Sequence, residues 1–148
     1  MTSLRRCLCS LAILLGTALP ANAWCSISVS GVNFGGYDVF AAAPTDSVGQ
    51  VTLVCLLDDN VSVTISKGSS NSFTSRAMQN GTERLSYNLY RDAARTSVWG
   101  DGSNGTSSYV VPFVLLTNTP LPVYGRIPPG QDVRTGSYSD TVTVVVNF

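Results

Sequence analysis

The sequence predicts an all-β protein, an immunoglobulin-like antiparallel β-sandwich. Short runs of residues alternate between apolar and polar side chains, which is the period of a strand with one face toward a core. Turn-forming clusters such as "LDDN", "QNGT" and "PPGQ" separate these runs. Lys67 and Glu83 are the only residues of their kinds, while Ser, Thr, Val and Gly are plentiful. That balance favours strands over helices.

Residues 1–23 have the features of a secretory signal peptide. Arg5 and Arg6 precede the apolar run of residues 11–19, and "PANA" then provides a small-residue cleavage site. The run is too short to span a bilayer. We therefore expect an exported chain whose single domain comprises residues 24–148, with no membrane insertion. Seven basic residues face nine acidic ones in that chain, and no basic patch indicates nucleic acid as a partner.

Most of the predicted strands show their apolar face directly. No segment shows helical periodicity beyond a turn or two. The runs and their apolar positions are "CSISVS" (Cys25, Ile27, Val29), "QVTLVCLL" (Val51, Leu53, Cys55, Leu57), "VSVTIS" (Val61, Val63, Ile65), "RLSYNLY" (Leu85, Tyr87, Leu89) and "LPVYGRI" (Leu121, Val123, Ile127). In "YVVPFVLL" Pro112 cannot donate to a strand ladder, so we expect an edge strand or a strand switch there.

The last run, "SYSDTVTVVVNF", continues to the end of the sequence without a further strand. One face carries Tyr138, Asp140, Val142, Val144, Val146 and Phe148, and the other carries smaller or polar residues apart from Val145. This alternation predicts a half-buried strand that has no strand after it to pair with.

The cysteines of the exported chain predict a disulfide. Cys7 and Cys9 lie in the signal peptide, so Cys25 and Cys55 remain for an oxidising compartment. Both lie on apolar strand faces, so the bridge would lie inside the sandwich. It would close a loop of about 30 residues and contribute about 3–4 kcal/mol on the loop-entropy account. Two buried free thiols are the alternative.

Catalytic chemistry has few candidate residues. The sequence contains no histidine, which excludes Ser-His and Cys-His nucleophiles and all histidine-ligated metal sites. The remaining enzyme hypothesis is a carboxylate pair drawn from Asp58, Asp59, Asp92 and Asp101. Adjacent carboxylates on a turn are more often a solvated loop. We therefore predict a protein that is not an enzyme and that has no cofactor and no metal.

The glycine-rich segment "WGDGSNGT" allows two binding hypotheses. Its oxygen ligands resemble part of a calcium loop, but it lacks the alternating acidic positions and the bidentate glutamate. A hairpin turn is the better interpretation. Trp99 and Tyr109 flank the segment and could stack on a sugar, with Asp101 beside them. We treat these three residues as a candidate surface contact.

Several blocks in order resemble the spore coat protein U domain family. They are "VNFGGYDVF", "VTLVC", "LSYNLYRDAARTSVWGDG", "VYGRIPPGQ" and "GSYSDTVTVVVNF", and the similarity runs from about Cys25 to Phe148. The family includes secreted spore-coat proteins and pilin subunits of archaic, Csu-type chaperone–usher pili.

The resemblance implies a sandwich that lacks its final strand. In such pilins a periplasmic chaperone fills the gap, and an outer-membrane usher then exchanges the chaperone strand for one from a neighbouring subunit. This is β-augmentation, in which main-chain hydrogen bonds satisfy an open edge and alternate side chains fill a groove. Val142, Val144, Val146 and Phe148 would then form one wall of the acceptor groove.

The chain departs from polymerising pilins at its start. Those subunits carry a donor segment before the first cysteine, whereas only Trp24 precedes Cys25 here. We therefore expect an adhesive or structural subunit at a terminal or tip position of a surface fibre. The alternative is a secreted coat protein or carbohydrate-binding module that closes the gap with its own "GGYDVF" or "YVVPFVLL".

Overall fold

Two antiparallel sheets pack face to face in the computed structural model, which describes residues 24–56, 60–112 and 116–147. Within those residues a five-stranded sheet has the order β1-β2-β7-β5-β4, and a three-stranded sheet has the order β6-β3-β8. The strands are β1 (Trp24–Ser30), β2 (Thr45–Leu56), β3 (Val61–Ile65), β4 (Arg76–Asn80), β5 (Glu83–Tyr90), β6 (Tyr109–Val111), β7 (Thr119–Ile127) and β8 (Val144–Asn147).

The core lies between the two sheets and is built from the predicted alternating positions. The inward side chains of β3, β5 and β7 are buried, as are those of β2 from Val51 to Cys55. Because the sheets shield each other only on these inner faces, the alternate positions are less buried, and in β3 they carry Ser62 and Thr64. The prediction of an immunoglobulin-like antiparallel sandwich is confirmed.

Two strands differ from the sequence prediction. β2 begins at Thr45, five residues before the predicted run, because its first part pairs with β7 from Ile127 back toward Thr119. β4 was not predicted, because Arg76 interrupts its apolar pattern although that side chain is itself buried. β4 and β5 form a hairpin across Gly81, whose φ of +59° suits the tight "QNGT" turn.

The C-terminal strand is shorter than predicted. Only Val144–Asn147 pair as a strand, because these four residues oppose β3. The preceding residues of the predicted strand make one isolated bridge, between Ser139 and Gln79 of β4. This segment therefore touches both sheets in turn.

The predicted disulfide is confirmed. Cys25 and Cys55 are directly opposite each other on β1 and β2, and their sulfur atoms are bonded. The bridge therefore links neighbouring strands of one sheet and faces the core.

The edge strand predicted before Pro112 is confirmed. β6 ends at Val111, immediately before Pro112, and is an edge strand, as the proline predicts.

The predicted signal peptide lies outside the described residues. Among the residues that are described, no helix is long and apolar enough to cross a membrane.

Candidate functional site

The inner face of β1 is left uncovered. Ile27 and Val29 lie on the same strand face as the buried disulfide, and their side chains are 42% and 58% exposed. Their partners across the ladder, Leu53 and Val51 of β2, are each 1% exposed. The smaller sheet thus covers β2 but stops short of β1, so two aliphatic side chains that point inward face open space.

The opposite wall is formed by β8 and the residues before it. Val142, Val144 and Val146 are half-buried and pack against the core, while Val145 is 43% exposed. One edge of β8 pairs with β3, and within the described chain no strand pairs with its other edge. Phe148, the fourth residue predicted for this wall, lies outside the described residues.

A cleft runs between residues 29–40 and residues 133–144, and Val146 does not line it. Its inner part is a cavity of about 310 Å³ that reaches the core at Leu89, Trp99 and Val123. Its outer part is a larger cavity of about 810 Å³. The two cavities adjoin, because both are lined by the same four side chains: Val32, Phe34, Met78 and Tyr138.

A glycine in β7 allows the segment after β1 to line this cleft. A Cβ atom on Gly125 would lie 2.6 Å from the Phe34 ring and 2.7 Å from the Val32 side chain. The absent side chain therefore lets residues 32–34 lie across the inner face of β7. There the Phe34 ring meets Tyr87 edge-on, with 6.0 Å between ring centroids.

Hydrogen bonds of Tyr37 fix the outer rim of the cleft. The Tyr37 hydroxyl donates to Pro128 O at 3.2 Å and accepts from Gln131 N at 2.9 Å. Beyond it, Phe40 is 93% exposed beside the mouth of the larger cavity. Tyr37 thus holds the "GGYDVF" segment at the rim and leaves the cleft open.

Comparison with known proteins identifies the family. Residues 13–145 match the family described as Spore Coat Protein U domain. The chain belongs to this family. It is 35% identical over 131 residues to Protein U of Myxococcus xanthus, covering 79% of this chain and 71% of that protein. The resemblance seen in the sequence is thereby confirmed.

A solved structure is similar in both sequence and fold to this Spore Coat Protein U domain. It is the crystal structure of the CsuC-CsuE chaperone-tip adhesion subunit pre-assembly complex from archaic chaperone-usher Csu pili of Acinetobacter baumannii. The TM-score is 0.61 at 25% identity, over 85% of this chain. The match spans 40% of the length of that solved chain.

Polar groups beside the cleft escaped the sequence analysis. Tyr87 donates to Asp140 Oδ2 at 2.7 Å, and burial together with this contact raises the pKa of the tyrosine. Arg76 is fully buried, and desolvation lowers the pKa of its guanidinium. A lone arginine in a strand-like run is usually a surface residue, so no local signal indicated this burial.

The predicted surface contact at Trp99 is wrong for this domain. The indole is fully buried, its Nε1 donates to Val63 O at 3.0 Å, and its ring lies edge-on to Tyr109 with 4.9 Å between centroids. The Tyr109 hydroxyl lies within hydrogen-bond distance of Arg91 O and Pro122 O. These aromatics join the two sheets, so Trp99 has no ring face to offer a sugar.

The acidic loop residues accept hydrogen bonds within the turns in which they lie. Asp101 Oδ1 accepts from the backbone N and the hydroxyl of Ser103 at 2.8 and 2.6 Å, and these bonds lower the pKa of Asp101. Asp92 accepts from the backbone N of Thr96 and Ser97. Asp58 and Asp59 lie outside the described residues. Among the residues described, no three acidic or cysteine side chains are grouped to hold a metal ion.

Proposed function

We propose that this chain is a structural subunit of a chaperone–usher surface fibre whose cleft accepts a β-strand from another polypeptide. The observation that carries the proposal is the uncovered inner face of β1. Ile27 and Val29 are exposed although their cross-strand partners are fully buried. A strand laid between residues 29–40 and β8 would cover both side chains and complete the smaller sheet.

The free edge of β8 supplies the chemistry for this insertion. An unpaired strand edge presents backbone N–H and C=O groups to a fourth strand, and alternate side chains of that strand would enter the cavity between Val29 and Val144. An open apolar cleft beside a free edge is also a site of aggregation. Both properties suit a subunit that is never left without a partner strand.

The partners we propose are a periplasmic chaperone, an outer-membrane usher and a neighbouring subunit that donates a strand. The similar Csu structure is a complex of a chaperone with a tip adhesion subunit, which supports the first of these partners. It also supports a tip position for this chain. The chain would be exported to the periplasm and then to the cell surface, with no enzymatic activity.

Calorimetric titration with a donor peptide tests the acceptor role. The probe is a synthetic peptide of about twelve residues in which valine or isoleucine alternates with threonine. We expect one peptide to bind per full-length chain. Val144→Asp places a charge in the cleft and should weaken binding at least about a hundredfold, because an unpaired carboxylate is costly to bury.

Val145→Asp is the matched control. It makes the same change on the next residue of β8, whose side chain points away from the cleft. We expect its peptide affinity to stay within about threefold of the unmodified chain. The acceptor role would be refuted if Val144→Asp and Val145→Asp lost equal peptide affinity, or if the unmodified chain bound no peptide.

A self-sufficient secreted coat protein is the second candidate, favoured by the 35% identity to Protein U. Such a protein would be a stable monomer with the cleft closed by its own residues. A sharp two-state melt of the chain alone, with no response to the donor peptide, supports this candidate.

A further inference from the structure

The C-terminal wall of the cleft is held by polar contacts where it has no strand ladder. Ser139 exchanges two backbone bonds with Gln79, at 2.8 and 3.1 Å. Asp140 Oδ1 accepts from Ser69 N at 2.9 Å, and its Oδ2 accepts from the Tyr87 hydroxyl. These contacts fix the wall to the larger sheet and to the 3-10 turn Gly68–Ser70, before β8 begins.

Ser66 fixes the last residue before β8. Its backbone N donates to Thr143 O at 2.9 Å, and its hydroxyl accepts from Thr143 N at 2.9 Å. Both backbone groups of Thr143 are therefore satisfied by one residue. Ser66 and Thr143 thus extend the β3–β8 register by one residue pair beyond Ile65 and Val144.

Arg76 in turn holds Ser66. Ser66 O accepts from Arg76 Nε at 3.3 Å and from Nη2 at 2.9 Å. The remaining donors of the guanidinium reach Asn88 Oδ1 at 2.7 Å, Trp99 O at 2.9 Å and Phe73 O at 3.4 Å. All of these acceptors are neutral oxygens, and the side chain is fully buried.

Such a buried charge is costly, and it bonds β4 to Ser66 and Trp99, which no strand ladder of the described residues joins to β4. Desolvating a guanidinium carries a penalty that neutral acceptors offset only in part. The guanidinium instead fixes the positions of the oxygens that it binds, because its five donors lie in one plane with a fixed geometry. Of those partners, Ser66 is the one that continues into the wall of the cleft.

We propose that Arg76, acting through Ser66, is a positioning residue that sets the C-terminal wall of the cleft before a strand enters. Asp140 contributes directly as the second anchor. A wall held in place loses little conformational freedom on binding, so the inserted strand meets a preorganised edge. This inference rests on the proposed acceptor function and names the residues that prepare the site.

Amide hydrogen exchange and peptide release test the inference on the full-length chain. Ser66→Ala removes the acceptor for Thr143 N and a longer contact from Gly68 N at 3.4 Å, whereas Arg76→Met removes the guanidinium and keeps an unbranched apolar side chain. We expect about tenfold faster exchange at residues 139–145 and about tenfold faster release of the alternating peptide, with β2 and β7 amides unchanged. Arg76→Lys keeps the charge but cannot hold Ser66 O through two donors, so it should give the same result and decides the question if Arg76→Met fails to fold.

Ser62→Ala is the matched control. It makes the same change on β3, at a hydroxyl that contacts Ser108 and not the wall, and it should leave exchange at residues 139–145 unchanged. Faster exchange throughout both sheets in Ser66→Ala, or no change at residues 139–145, would overturn the inference. If the unmodified chain binds no peptide, the acceptor function fails, and the exchange pattern still decides whether Ser66 and Arg76 hold the wall.

Discussion

At the scale of single residues, the fold is held by side chains whose roles depend on distant partners. Trp99 donates from its indole to β3, accepts from Arg76 through its carbonyl, and packs on Tyr109. Arg76 donates to four neutral oxygens. Apart from Phe73 O, three residues before Arg76, these partners lie ten or more residues away, so no local pattern indicates them.

Asp92 predicts how stability depends on acid. Its carboxylate accepts from Ser97 N and Thr96 N, and these bonds lower its pKa from 3.8 to about 2. As the pH falls, the unfolded chain binds this proton first. The stabilising contribution of Asp92 is therefore complete above about pH 4 and is lost as the pH falls toward 2.

The measurement is the melting temperature across that pH window, in the unmodified chain and in Asp92→Asn. The amide keeps an acceptor oxygen but cannot titrate. We expect the melting temperature of the variant to fall less steeply between pH 4 and pH 2. Parallel curves for the two proteins would show that Asp92 does not contribute to acid sensitivity.

At the scale of the element, the segment after β1 depends on the absence of a side chain at Gly125. Gly125 leaves room for Phe34 and Val32 on the inner face of β7. Gly125→Ala would push residues 32–34 away from the sheet. We expect a loss of about 1–3 kcal/mol in the free energy of unfolding, measured in urea, together with weaker peptide binding.

Gly36→Ala provides the comparison for this substitution. Gly36 lines the same cleft, and a Cβ atom there would meet no heavy atom within 4 Å. The free energy of unfolding of Gly36→Ala should therefore stay within about 0.5 kcal/mol of that of the unmodified chain. If Gly125→Ala is equally well tolerated, the close approach of Phe34 does not matter for the fold.

The elements also show what sequence periodicity can and cannot predict. β3, β5 and β7 follow their alternating apolar residues, because each has one face in the core. β4 escaped prediction because its first inward residue is Arg76, whose charge is satisfied by long-range contacts. The predicted C-terminal strand was too long because the backbone before Val144 bonds at separate points, Thr143 with Ser66 and Ser139 with Gln79.

At the scale of the whole molecule, the cleft is a product of topology. Its two walls, residues 29–40 and 133–144, are about a hundred residues apart in the chain and meet only after both sheets form. The alternation of Val142, Val144 and Val146 is local and was predicted, as was the inward face of β1. That the space between these walls would be open to solvent could not be predicted from periodicity, because it depends on where the smaller sheet ends.

The smaller sheet offers two free edges within the described residues, β6 and β8, and only β8 borders the cleft. Locating the bound donor peptide by intermolecular NOEs therefore tests the central claim most directly. We predict backbone contacts from the peptide to Val144–Asn147 and side-chain contacts to Val29. If the peptide instead contacts Tyr109–Val111, it lies on the β6 edge, and this result would contradict the account.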